Sequence, residues 1–132
     1  MSTTNVANLL AYDCWHLLEG AYLARVAWQG ADGIRLVPVN YDVADGAVWF
    51  RIDRDSALAR EARDQSVVVE IDDVDDESGT AWSVVVVGKV EMFDAADAPD
   101  TLGELRVWAD GPHTTYVRIE PVELTGRRLW KP

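Results

Sequence analysis

The sequence predicts a mainly β protein with short helices, its six strands closing into an antiparallel barrel. Three observations carry this. Runs with the two-residue period of strands recur along the chain, separated by short helical stretches. Turn signals at Ala31-Asp32-Gly33 and Asp45-Gly46 fold neighbouring runs into hairpins. Valine-dense stretches at Ser66–Asp72 and Thr80–Phe93 supply strands with apolar faces to bury. Closure follows because an open six-stranded sheet would leave two edges unpaired.

The first element is a helix over Leu9–Glu19. Leu10, Cys14, Leu17 and Leu18 fall at helical spacing, and Gly20 ends the pattern. Strands follow at Leu23–Gln29, Ile34–Val43 and Ala47–Ile52. Pro38 lacks an N–H and places its part of the second strand at an edge or a bulge. Ser56–Arg63 returns to helical spacing, with Ser56 or Asp55 as its N-cap. Ser66–Asp72 is the fourth strand, its three consecutive valines pointing to burial on both faces. Thr80–Phe93, long and β-branched, reads as the central strand. Ala96–Ala109 reads as a helix with Pro99 near its start. Thr114–Arg128 is the last strand, interrupted or bent at Pro121.

One domain spanning 1–132 accounts for the whole chain, and no repeat or linker divides it. Hydrophobic residues make up 48% and charged residues 27%, the balance of a folded protein. The formal charge is −11, from 23 acidic and 12 basic side chains. Such a field repels phosphate backbones and anionic lipid, so neither nucleic acid nor membrane is an expected partner. The N-terminus, Met1-Ser2-Thr3-Thr4-Asn5, has no basic start or apolar run of a signal peptide. The lone Cys14 forms no disulfide within the chain and fits a reducing, cytoplasmic setting.

Several constellations weaken on inspection. Asp72-Asp73-Val74-Asp75-Asp76-Glu77 resembles a cation loop, yet Ser78 replaces the required glycine and Val84 the bidentate acid. It reads as a solvated turn. His16 and His113 are the only histidines, and neither stands beside a nucleophile, so both read as ordinary surface or boundary residues. The six tryptophans, Trp15, Trp28, Trp49, Trp82, Trp108 and Trp130, fit core filling, a subunit interface or the wall of a planar ligand. Arg51, Arg54 and Ser56 gather at the start of the second helix, where amide protons and arginines suit a phosphate. Pairing of those arginines with Asp42, Asp53 and Asp55 is the plainer reading of the same residues.

Residues along nearly the whole chain carry a resemblance. They include Cys14-Trp15, Arg25-Val26-Ala27, Pro38-Val39-Asn40-Tyr41, Phe50-Arg51, Ser56 with Leu58, and Val69-Glu70-Ile71-Asp72. The C-terminal half adds Trp82-Ser83-Val84-Val85-Val86, Gly88, Trp108, Val117-Arg118-Ile119 and Thr125-Gly126-Arg127-Arg128. In order and spacing these resemble the actinobacterial branch of the pyridoxamine 5′-phosphate oxidase-like, flavin-binding split-barrel proteins. The resemblance implies a six-stranded antiparallel split β-barrel working as a homodimer, with FMN and a small planar substrate at the subunit interface. It implies that Val39 and Asn40 lie along the flavin ring, with Leu58 nearby. It also implies that Arg51 and Ser56 hold the phosphate, and that Trp82 and Ser83 approach the ring from the partner subunit.

Two departures bear on the cofactor. Where the family pattern has a threonine and a lysine on the phosphate, this chain has Ile52 and Ala57, and Asp55 replaces a glycine. At about 1.5–3 kcal/mol for each charge-assisted bond, the two losses cost roughly 3–5 kcal/mol of binding. Arg54, outside the usual pattern, is the residue placed to compensate. Two readings follow: an FMN-dependent oxidoreductase, or a cofactor-poor, deazaflavin- or haem-loaded binding protein on the same barrel. For haem, His16 and His113 are the only imidazoles. Oxidation of pyridoxamine phosphate itself is not expected, because residues for the substrate phosphate cannot be located.

Overall fold

The computed structural model describes residues 5–102 and 105–132; Met1 to Thr4, on which the signal-peptide reading rests, lie outside them. Eight strands form in the order β1 (Val6–Asn8), β2 (Leu23–Gly30), β3 (Gly33–Ala44), β4 (Ala47–Ile52), β5 (Ser66–Asp75), β6 (Thr80–Asp94), β7 (Thr115–Ile119) and β8 (Glu123–Trp130). Helix α1 (Ala11–Glu19) lies between β1 and β2, and α2 (Ala57–Glu61) between β4 and β5. No helix among the described residues is long and apolar enough to cross a membrane.

Six strands close on themselves. The ladder runs β6–β5–β2–β3–β4–β7 and returns to β6, every pairing antiparallel. The expected six-stranded barrel is therefore present, with β8 and β1 added beside β6. β6 serves two partners in succession on one edge. Thr80–Val87 pairs with β8, and Val90–Asp94 with β7. Gly88 sits at the change of partner, where a Cβ would run into the backbone carbonyl of Glu120. The expected last strand, Thr114–Arg128, is thus two strands, because Pro121 interrupts it and its halves join different stretches of β6.

The interior follows from alternation. Val26, Phe50, Val69, Ile71, Val84, Val86, Val117 and Ile119 point inward and are fully buried. Helix α1 covers one end with Cys14 and Leu18. Burial, and the charge of Asp13 after it, push the Cys14 thiol pKa up. The Tyr41 hydroxyl donates to the Leu18 carbonyl at 2.5 Å, fixing α1 to β3. At the β3–β4 turn, Asp45 and Gly46 take φ of 53° and 72°, the conformation that the Asp-Gly pair signals.

Three expectations are corrected. Val68 is 39% exposed between buried Val67 and Val69, because no helix covers the outer face of β5. β5 thus buries one face, not two. Strand β1, which pairs with β8, was not foreseen. The helix expected at Ala96–Ala109 is replaced by single 3₁₀ turns at Ala95–Asp97 and Asp100–Leu102, then irregular backbone from Leu105 (Gly103 and Glu104 lie outside the described residues). Pro99 forces Ala98 into an extended conformation (φ −73°, ψ 143°), which breaks the helix after one turn. Leu102 and Leu105 instead bury against Ala44, Ala47 and Trp49 on the outside of the barrel wall, beside Phe93 and Tyr116.

Candidate functional site

A cleft opens where β3 changes partners. Through Asn40 the strand pairs with β2, and from Tyr41 it pairs with β4. Beyond Phe50, β4 continues along β7 alone. The stretch Val37–Asn40 and the stretch Arg51–Asp53 therefore form two lips with no ladder between them. Pro38 sits where β3 has β2 as its only ladder partner, the edge position its missing N–H requires. Between the lips lies a recess of about 200 Å³.

Its lining is mostly apolar. Trp28, Val37, Val39, Ile52, Ala57 and Leu58 supply walls and floor, and Val107, Ala109 and His113 the roof. The Trp28 indole Nε1–H donates to Glu61 Oε1 at 3.1 Å, while Glu61 Oε2 accepts from the Ala31 N–H at 2.8 Å. These two donors, the backbone one first, hold the Glu61 carboxyl below its ordinary pKa. One carboxylate on α2 thereby orients the aromatic floor and ties α2 to the β2–β3 hairpin.

The polar groups sit on the lips. Asn40 donates its side-chain amide to the Tyr22 carbonyl at 3.2 Å and accepts the Trp108 N–H at 2.9 Å. Arg51 donates Nε to the His113 carbonyl at 2.9 Å and Nη1 to the Leu105 carbonyl at 3.0 Å. Its guanidinium carbon lies 5.4 Å from the centre of the Tyr116 ring. Ser56 Oγ accepts from the Ala59 N–H at 3.3 Å and so caps α2. α2 has five residues, so its dipole adds little to the site.

Six of the nine residues singled out in the sequence meet here: Val39, Asn40, Arg51, Ile52, Ser56 and Leu58. Three do not. Arg54 lines a separate polar depression with Arg63, Asp94, Asp97 and Thr115. Trp82 is half-buried against the barrel core, and Ser83 lies beside Thr125, Gly126 and Arg127 along β6 and β8. Trp28 and Glu61 were missed as site residues, and His113 was raised only as an imidazole for haem. Their places depend on partners 33 residues away for Trp28 and 62 for His113, which no local pattern announces.

The residues fit a flat, ring-bearing group at the walls and one anionic group at the Arg51 lip. They offer less to a phosphate than the family pattern does, since Ile52 and Ala57 line the recess without a donor and Asp53 adds a carboxylate.

The sequence model of the pyridoxamine 5′-phosphate oxidase family matches residues 11–128. An uncharacterized protein of Mycobacterium tuberculosis, Rv0080, is 34% identical over 97% of this chain and 88% of its own length. Among solved structures, a pyridoxamine 5′-phosphate oxidase candidate from Corynebacterium glutamicum is 31% identical. The match covers 100% of this chain and 99% of that one, with a TM-score of 0.77. An FAD-binding protein of Mycobacterium smegmatis is 28% identical, covering 94% and 98%, with a TM-score of 0.73. With the barrel, its split and a family match over almost the whole length, this chain belongs to the pyridoxamine 5′-phosphate oxidase-like family of split barrels.

Proposed function

We propose that this protein binds a flavin in the cleft between β3 and β4 and works as a cytoplasmic homodimeric oxidoreductase on a small planar substrate. The observation that carries the reading is the meeting of Val39, Asn40, Arg51, Ile52, Ser56 and Leu58 around one apolar recess. The similar FAD-binding protein of Mycobacterium smegmatis supports a flavin-type ligand. When bound, a flavin supplies the redox chemistry, and the protein contributes orientation, hydrogen bonds and exclusion of water. Here the Trp28–Val39–Leu58 walls hold the ring and Arg51 faces the phosphate.

Two features support a dimer. The recess, at about 200 Å³, is below the ~300–1,000 Å³ of complete small-molecule sites, so a second wall is needed. The outward face of β2, β3, β5 and β6 carries Ile34 and Leu36 at 80% and 64% exposure beside Val68 and Val87. Ser83 shares that face, in keeping with its expected approach from the partner subunit.

Ile52 and Ala57, which bring no donor to the phosphate end, favour a second reading: a barrel loaded with deazaflavin or haem, or with nothing. Native mass spectrometry of the protein as isolated separates the two. The flavin reading expects a dimer carrying two flavins; colourless protein that takes up none on dialysis overturns it.

A further inference from the structure

Asn40 and Arg51, on opposite lips of the cleft, hold the same stretch of backbone. Trp108 donates its N–H to Asn40 Oδ1, and the carbonyls of Leu105 and His113 accept from Arg51. Residues 105–113 have no helix or strand of their own. Three bonds to the lips and the buried Leu105 side chain fix them across the cleft as a strap. Arg106 and Trp108 on it face solvent, Trp108 at 70% exposure.

The geometry points to a strap that competes with the ligand: binding in the cleft displaces residues 105–113, and the strap closes when the ligand leaves. A guanidinium offers an anion two forks, Nε with Nη2 and Nη1 with Nη2. Each fork has one nitrogen committed to a strap carbonyl. Nε has a single proton, already given to the His113 carbonyl, so an anion that takes the Nε–Nη2 fork displaces that carbonyl, whereas Nη1 has a second N–H beside the one given to Leu105. The Asn40 carbonyl oxygen already accepts from Trp108, so a ring donor that reaches its second lone pair meets the strap there. Strap and ligand exchange bonds at the same atoms, and the closed population taxes the observed affinity. The displacing ligand's identity rests on the flavin proposal; the anchoring of the strap does not.

Trypsin at Arg106 reads the strap directly, because cleavage there requires local opening. Without any ligand, Asn40→Ala should speed cleavage after Arg106 about tenfold over wild type, and an unchanged rate would overturn the anchoring. Inorganic phosphate should also speed it in wild type through Arg51, and protection instead of acceleration would overturn the competition. Leu105→Ala, which loosens the strap from outside the cleft, should tighten FMN or FAD binding about tenfold; weaker binding would make the strap a required roof and sink the inference. If neither flavin binds wild type or Leu105→Ala, the flavin proposal falls, while the trypsin arms still decide the strap.

Discussion

Trp28 on β2 and Glu61 on α2 are joined by a 3.1 Å hydrogen bond that sets the floor of the cleft. The same carboxylate accepts the Ala31 N–H, so a single side chain couples helix, hairpin and site. Glu61→Ala should free the indole, shifting Trp28 fluorescence to the red and weakening flavin binding about threefold to tenfold. The Glu61 pKa is depressed in the folded chain, so its contribution to stability is present at neutral pH and is lost as pH falls through the folded value. Thermal melts of wild type and variant should therefore converge in acid. A constant gap across the titration would assign Glu61 a role independent of its charge.

Gly88 marks the point where β6 exchanges β8 for β7. A methyl group there meets the Glu120 carbonyl and the Ile119 side chain, and backbone on that side has little room to yield. Gly88→Ala should destabilise the barrel by about 1–3 kcal/mol, as overpacking in a close-packed interior does. Urea denaturation checks this. A midpoint equal to wild type would show that the crossing is looser than the close approach implies.

The barrel was legible because its signals are local. Asp45-Gly46 set one hairpin, and Val67–Val69 and Val84–Val87 marked strands. Six of the expected ligand residues also met, since Val39–Asn40 and Arg51–Leu58 each lie in short, continuous stretches. The strap was not legible. The alanines ahead of it, Ala95, Ala96 and Ala98, suit a helix, yet Ala98 before Pro99 is extended, and the path after Leu105 is set by Arg51 and Asn40, more than 50 residues upstream. Val68 misled for a related reason: three valines in a row do not say whether anything covers the second face.

Glu70 stands opposite Arg25 on the outer face and bonds it at 3.2 Å, while the same Nη1 bonds Asp72 at 2.9 Å. Burial, then the neighbouring Asp72, push the Glu70 pKa from 4.5 to about 7, against the pull of Arg25. A raised folded-state pKa means that the folded chain holds its proton more tightly. The resulting stability is full below about 4.5 and is lost as pH rises through about 7. Glu70→Gln removes this dependence. It should melt higher than wild type at pH 8 and equally at pH 4. Solvent reaches a third of the side chain, so screening limits the gap to about 1 kcal/mol or less. A variant less stable at pH 8 would mean that the Arg25 pairing outweighs the burial cost.

Leu36 tests the proposed dimer most directly. It lies in a cross-strand row with Ala27, Val68 and Val87, all on the outward face, and is 64% exposed in the single barrel. Because Leu36 contributes nothing to the interior, Leu36→Glu should leave the stability of one barrel within about 0.5 kcal/mol. A two-fold interface places the same patch on both subunits, so one substitution puts two carboxylates into it. Sedimentation should then show wild type near twice the 14.7 kDa chain mass and the variant near once. Flavin binding should fall with the dimer if the partner supplies the second wall of the recess. A monomeric wild type at micromolar concentration would remove the dimer. A variant that dissociates yet binds flavin as before would keep the dimer but confine the ligand site to a single chain.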